Sequence, residues 1–175
     1  LEDKGGWPVR DTALAFVEYA HVVSKHLGDR VSLWTTHNEP WCACMLGYNE
    51  GRHAPGRKNL RDAVAASHHM LLSHGLSVPV IRDNVPNAKV GIVLNPVPGI
   101  PASTSEADHE AFRKFDGEFN RWYLDALYKG HYPQDMLDHF SADPTFQNKG
   151  IEFIQDGDNE SIAVSTDFLG VNYYS

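Results

Sequence analysis

The sequence contains few cysteines and no apparent set of metal ligands. Only Cys42 and Cys44 occur among its 175 residues, too few for the disulfide framework of a small secreted domain. One residue separates them, and so close a spacing rarely permits an unstrained disulfide. We therefore expect two free thiols and a cytoplasmic protein. Further ligands at a suitable spacing are lacking, so we expect no metal site, and nothing in the sequence indicates a cofactor.

Long apolar segments and an excess of basic residues are also absent. Without a run of about 18 apolar residues, no membrane-spanning helix is expected. The net charge is −8, from 15 basic and 23 acidic side chains, which is unlike the basic surface of a nucleic-acid-binding protein. The first ten residues, LEDKGGWPVR, contain neither an initiator Met nor an apolar signal segment. We therefore expect a piece taken from within a longer chain.

What the sequence does contain is an alternation of helix and strand patterns. Hydrophobic residues make up 42% of the chain, enough for a substantial core. We expect Asp11 to cap the first helix, Gly28 to end it in a left-handed conformation and Pro79 to kink or shorten the second. Residues 41–59 are rich in Gly and Pro and predict a long loop. The predicted helices span 10–29, 60–83 and 105–129, and the predicted strands span 31–40, 88–96 and 166–175.

This alternation predicts an α/β fold with parallel strands joined by right-handed crossovers. Three strands are too few to close a barrel. The pattern is compatible with an open parallel sheet and with part of a barrel. An open nucleotide-binding sheet would need a Gly-rich loop after a strand, and none of the three predicted strands has one.

Polar residues stand where each predicted strand ends. Parallel α/β sheets bind ligands at the carboxyl ends of their strands, and these ends carry Glu39, Asn95 and Asn172. Each alone is compatible with an ordinary turn residue, but their joint occurrence favours a site. Because side chains alternate along a strand, we expect Glu39 to share a face with His37, and Asn172 to share one with Tyr174.

The blocks WTTHNEPW, GYNEGRHAPGR, HHMLLSHG, VGIVLNPV and DFLGVNYYS resemble the family-1 glycoside hydrolases, the β-glucosidase family of (β/α)8 barrels. They occur in the order and at the spacing of the family and cover essentially the whole chain, with most similarity to bacterial β-glucosidases. The resemblance implies a partial (β/α)8 TIM barrel, with strands four to six and their helices. Residues 1–175 would then be the central part of a single glycosidase domain and not a complete domain.

The resemblance also implies a retaining mechanism and roles for individual residues. Glu39 matches the acid/base of the family, and Tyr174 matches the tyrosine that supports the nucleophile. The expected substrate-binding residues are Asn38, which holds the sugar 2-hydroxyl, Trp41 and His53 on the aglycone side, Asn95 at the end of the fifth strand and Asn172 at the end of the sixth.

The nucleophile of the family lies in a threonine-glutamate-asparagine-glycine motif, which does not occur in this chain. We therefore expect the 175 residues alone not to hydrolyse a β-glucoside or cello-oligosaccharide. Two uncovered sheet edges are expected as well, so the rest of the barrel or other copies of the chain should be needed to cover them. Alternative interpretations are a 6-phospho-β-glycosidase segment and a non-catalytic sugar-binding or structural fragment.

Overall fold

A computed structural model of the protein describes residues 1–147 and 149–174. Its centre is a sheet of three strands, β1 (Leu33–Asn38), β2 (Lys89–Leu94) and β3 (Phe168–Val171). The strands are adjacent in chain order, and both neighbouring pairs are parallel. The predicted α/β alternation and parallel pairing are therefore confirmed.

Helices connect the strands and pack against the sheet. In chain order the α-helices are α1 (Arg10–Leu27), α2 (Leu60–Asn84), α3 (Glu106–Asp116), α4 (Trp122–Lys129), α5 (Gln134–Ser141) and α6 (Asp158–Ile162). Two π-helical segments, Cys42–Asn49 and Gly117–Arg121, and two 3-10 turns, Glu2–Lys4 and Pro144–Phe146, complete the described elements. No helix in the described part of the chain is both long enough and apolar enough to cross a membrane.

The ends of α1 differ from those predicted. The residue that caps its start is Val9, so Asp11 lies inside the first turn. Gly28 ends the helix with a right-handed φ of −64°, so the prediction of a left-handed end is wrong. Gly28 is instead required by close packing, because a Cβ there would lie 2.4 Å from a methyl group of Val85 and 2.6 Å from the carbonyl oxygen of Ser24.

Pro79 does not shorten α2, which was one of its two predicted effects. The helix continues through Pro79 to Asn84. Pro79 itself is exposed, whereas its neighbours Val78 and Ile81 are buried. A proline inside a helix removes one backbone hydrogen bond, which destabilises the helix. Burial of Val78 and Ile81, before and after Pro79, offsets this loss and keeps the segment helical.

Two predicted segments have a more complex structure than expected. Residues 41–59 are not loop throughout, because Cys42–Asn49 is π-helical and buries Met45 and Tyr48. The helix predicted over 105–129 is divided by the wider turns of Gly117–Arg121. Gly117 allows close packing at that point, since a Cβ there would lie 2.2 Å from the sulfur of Met136.

The core lies between the sheet and α2. Its main cluster contains Ile92 of β2, Leu71 of α2 and Trp122 of α4, all fully buried. β2 is the central strand, whereas β1 and β3 each have one neighbour within the described residues. Leu33 on β1 and Val171 on β3 are 64% and 55% exposed. The flanking strands therefore leave apolar surface uncovered.

Candidate active site

A bulge at the end of β1 determines where Glu39 points. Thr35 pairs with Gly91 and Asn38 pairs with Val93, so β1 contains one more residue than β2 over this stretch. Glu39 follows with a φ of 49°, which is uncommon for a residue other than glycine. The backbone N–H of Glu39 donates to the carbonyl oxygen of Val93 at 2.8 Å, which keeps the end of β1 attached to β2.

The bulge separates the side chains of His37 and Glu39, which were predicted to share a face. His37 is buried against α2, where its Nε2 lies 2.8 Å from Oγ of Ser73. Glu39 is directed instead toward the residues that follow β3. The prediction assumed strict alternation, and the extra residue in β1 breaks that alternation.

The residues that follow β3 bind the carboxylate of Glu39. Nδ2 of Asn172 donates to Oε1 of Glu39 at 2.7 Å and to Oδ1 of Asn38 at 2.9 Å. The hydroxyl of Tyr174 donates to the same Oε1 at 3.2 Å. The structure thus brings together four of the predicted site residues, and Asn172 and Tyr174 act from the same side, as expected.

Cys42 is a member of the site that the sequence analysis did not select. Its thiol donates to Oε2 of Glu39 at 3.2 Å, and its sulfur accepts from Nδ2 of Asn95 at 3.5 Å. Cys42 and Cys44 are both free, as predicted. The sequence signal that could have identified Cys42 is its spacing from Glu39. Cys42 follows Glu39 by three residues at the start of a helical turn, and residues so spaced lie on the same side of a turn. We refer to Asn38, Glu39, Cys42, Asn95, Asn172 and Tyr174 as the carboxylate cluster.

The contacts around Glu39 favour its ionised form. The hydrogen bond from Asn172 lowers the pKa of Glu39 most, and those from Cys42 and Tyr174 lower it further, against an opposing contribution from burial. The negative charge of Glu39 in turn raises the pKa of Tyr174. Burial, followed by the contact with Glu39, raises the pKa of Cys42 to about 11. In this arrangement the carboxylate is charged at neutral pH and both neighbouring groups keep their protons.

Trp41 lies beside Asn95 of the carboxylate cluster, whereas His53 has no described contact with the cluster. Trp41 stacks on Phe119 with ring centroids 4.0 Å apart, and both line a narrow cleft with Asn95. Asn95 also lines a shallow cleft with Asn172 and Tyr174. His53 is exposed on the loop after the first π-helical segment. No hydrogen bond among the described residues joins it to the carboxylate cluster.

Within residues 1–147 and 149–174, no group of three His, Cys, Asp or Glu side chains is placed to hold a metal ion. The chemistry available at the cluster is that of a carboxylate surrounded by hydrogen-bond donors. A group of this kind can give or take a proton once its pKa suits the step.

Comparison with known proteins places the chain in a family. Residues 1–175 match the sequence profile of glycosyl hydrolase family 1. The chain belongs to glycosyl hydrolase family 1. Among relatives of this family-1 chain, Beta-glucosidase A of Acetivibrio thermocellus is 43% identical over 176 residues, which cover 100% of this chain and 38% of that protein. The predicted family is therefore confirmed.

Solved structures show how much of the family-1 fold the chain covers. A crystal structure of a beta-glucosidase from Exiguobacterium marinum superimposes with a TM-score of 0.93 at 44% identity, covering 99% of this chain and 39% of that one. The virulence factor SghA, in complex with its substrate analog salicin, gives a TM-score of 0.90 at 38% identity, with 99% and 37% covered. The chain thus spans less than two fifths of the length of these proteins and forms part of a (β/α)8 barrel, as predicted.

Proposed function

We propose that this chain provides the acid/base half of a retaining β-glucosidase site, with Glu39 as the proton-transferring residue. The supporting observation is the convergence of Asn172 and Tyr174 on Glu39, with Asn38 held by the same Asn172 amide. These contacts lie at the carboxyl edge of a parallel sheet, where parallel α/β folds place their ligands. In this proposal, residues 1–175 are strands four to six and their helices, the central part of one (β/α)8 domain and not a complete domain.

A retaining glycosidase uses two carboxyl groups about 5–5.5 Å apart. Glu39 would first protonate the leaving oxygen and later remove a proton from the attacking water. The second carboxyl group is the nucleophile. It would be supplied by a residue other than those that contact Glu39 in the described part of the chain. Tyr174 would position that nucleophile while remaining close to Oε1 of Glu39, its neighbour at 3.2 Å.

The ionised state of Glu39 is consistent with this sequence of steps. An acid must begin protonated, whereas the contacts present here lower the pKa of Glu39. A nearby nucleophile carboxylate would raise that pKa by charge repulsion. When the nucleophile becomes bonded to the sugar, its charge disappears and the pKa of Glu39 falls again. The donors from Asn172, Cys42 and Tyr174 would then favour the charged base that the second step needs.

The remaining roles concern substrate binding. Oδ1 of Asn38 accepts from Asn172, so the donor end of the Asn38 amide is suited to the 2-hydroxyl of the sugar. Trp41 and His53 would contact the aglycone, and Asn95 and Asn172 would contact the substrate from the other two strand ends. The proposed substrate is a β-glucoside or a cello-oligosaccharide.

We further propose that the 175 residues alone are inactive. The site contains an acid/base, but no second carboxylate contacts Glu39 within the described residues. The exposed Leu33 and Val171 would be covered by the rest of the barrel or by other copies of the chain. Free thiols at Cys42 and Cys44 support a reducing compartment, the cytoplasm.

The test is a chimera in which residues 1–175 replace the matching 38% of Beta-glucosidase A from Acetivibrio thermocellus. We expect it to hydrolyse 4-nitrophenyl β-glucoside with retention of anomeric configuration. NMR of the released sugar measures that configuration. Glu39→Gln should lower turnover at least about 100-fold, since positioned proton transfer contributes at least that much. The loss should be smaller for a 2,4-dinitrophenyl glucoside, because that leaving group needs little protonation.

The matched control is Glu110→Gln, the same chemical change on α3, where the Glu110 side chain is 44% exposed and pairs with Arg113 of the same helix. It should retain full turnover. The isolated 175-residue chain should be inactive on the same substrate. Full turnover in the Glu39→Gln chimera, or an inverted product, would contradict the proposal. Sugar binding without turnover in a folded chimera would indicate a non-catalytic fragment.

A further inference from the structure

The two oxygens of Glu39 have chemically different partners. Oε1 receives the amide of Asn172 at 2.7 Å and the hydroxyl of Tyr174 at 3.2 Å. Oε2 receives the thiol of Cys42 at 3.2 Å. The amide of Asn172 is oriented unambiguously, because its Nδ2 faces two acceptor oxygens, one on Asn38 and one on Glu39.

These partners differ in what they can do when the carboxyl gains a proton. An amide N–H only donates, so a proton on Oε1 would face the N–H of Asn172. A thiol can donate through its hydrogen or accept through its sulfur. The hydroxyl of Tyr174 can also donate or accept, but the N–H of Asn172 on the same Oε1 can only donate. Oε2 is therefore the oxygen on which no partner is restricted to donating.

We propose that the transferable proton resides on Oε2 of Glu39 and that Cys42 is the positioning residue for that oxygen. The thiol donates to Oε2 when the carboxylate is charged, and the sulfur accepts from the O–H when it is protonated. This inference rests on the proposed function of Glu39 as acid/base and deepens it by identifying the reactive oxygen. Cys42 acts through Glu39 and has no separate chemical step.

The backbone and Asn95 hold Cys42 in place for this role. The backbone N–H of Cys42 donates to the carbonyl oxygen of Glu39 at 3.0 Å, which makes the spacing between the two residues rigid. Nδ2 of Asn95 approaches the sulfur at 3.5 Å. Side-chain contacts consequently run from Asn95 at the end of β2, through Cys42 and Glu39, to Asn172 after β3.

Cys42 keeps its proton in this environment. Burial and the neighbouring charge of Glu39 raise its pKa to about 11, so the S–H form predominates at neutral pH. The thiolate is the reactive form of cysteine, and it is scarce here. Cys42 is therefore suited to hydrogen bonding and poorly suited to acting as a nucleophile.

The first experiment measures the pKa of Glu39 in the 175-residue chain by NMR of carboxyl-labelled glutamate, with the signal assigned by its loss in Glu39→Gln. Cys42→Ala should raise this pKa by on the order of half a pH unit, because one donor to the charged form is removed. Cys42→Ser should restore or lower it, since a hydroxyl also donates and accepts. Cys44→Ala, which removes a thiol that contacts Met70, is the matched control.

The second experiment leaves Cys42 unchanged and so does not depend on the folding of its variants. Alkylation of Cys42 by iodoacetamide at pH 8, followed by peptide mass spectrometry, should be on the order of threefold or more faster in Glu39→Gln, because the charge that opposes the thiolate is gone. Glu110→Gln should react like the unaltered chain. Cys44, which is fully buried, should stay unmodified and so reports that the fold is intact.

Equal alkylation rates of Cys42 in the Glu39→Gln and Glu110→Gln chains would overturn the proposal. So would a change in the pKa of Glu39 that is no larger in Cys42→Ala than in Cys44→Ala. Neither measurement uses turnover. If these measurements show that Cys42 and Glu39 are coupled but the chimera is inactive, only the proposed function is contradicted. An active chimera without coupling would contradict only the role of Cys42.

Discussion

The amide of Asn172 donates to Oε1 of Glu39 at 2.7 Å across 133 positions of the chain. This contact joins the residues after β3 to the end of β1, with β2 between the two strands. It is also the largest single influence that lowers the pKa of Glu39. One side chain therefore both connects the ends of the sheet and stabilises the charge of the proposed acid/base.

Replacing Asn172 by Ala should raise the pKa of Glu39, because the carboxylate loses its strongest donor. We expect a shift of about one pH unit, the scale of a hydrogen bond to a charged group. Carboxyl NMR of the 175-residue chain measures it directly. A pKa that stays the same in Asn172→Ala would show that the contact does not stabilise the charge.

Tyr174→Phe should raise the same pKa by a smaller amount, since the phenol is the weaker of the two partners of Oε1, at 3.2 Å. Tyr173→Phe is the matched control, because it removes a hydroxyl from the neighbouring, exposed tyrosine. The titration curves of the two variants should differ. If they coincide, the hydroxyl of Tyr174 has no specific effect on Glu39.

Asp158→Asn should lower the free energy of unfolding by about 3 kcal/mol, because breaking a buried ion pair leaves its partners uncompensated. The Asp158 carboxylate is buried and accepts hydrogen bonds from the two terminal guanidinium nitrogens of Arg10, at 2.6 and 2.8 Å. It also lies 2.9 Å from Nε2 of His68. Urea unfolding gives the measurement. The exposed Asp156→Asn is the control, and an equal effect in both variants would contradict the assignment.

Stability should fall as the pH is lowered from 7 to 5. Burial lowers the pKa of His37 to about 3 and those of His69 and His74 to about 4. Below the ordinary value of 6.5, the unfolded chain binds protons that the folded chain does not, so the loss begins there and continues until the pH reaches these folded values. Each such histidine contributes at most about 1.4 kcal/mol per pH unit.

The measurement is the urea midpoint at pH 7, 6 and 5. His37→Gln should make this dependence shallower, because one of the three buried bases is then absent. The lowered pKa of Asp158 also makes stability fall with acid, but only below its ordinary value of 3.8, outside this window. Equal midpoints at pH 7 and pH 5 would contradict the prediction.

Features governed by short-range patterns could be predicted from the sequence. The alternation of helices and strands follows from local periodicity and turn residues, and it was sufficient to predict parallel strands. Polar residues at three strand ends indicated where a site should lie, and the sequence blocks around Glu39 and Asn172 indicated the family. Gly130 ends α4 in a left-handed conformation, with a φ of 72°, which reflects a local preference of glycine.

Other features depended on contacts between distant parts of the chain. The bulge before Asn38 depends on the pairing of β1 with β2, and it decides that His37 faces α2 while Glu39 faces Asn172. The right-handed end at Gly28 depends on Val85, and the continuation of α2 through Pro79 depends on buried neighbours. The sequence alone thus determined the order of elements and the residue types at the strand ends. The tertiary structure decided which oxygen of Glu39 meets which donor, because that geometry arises only when separate segments pack together.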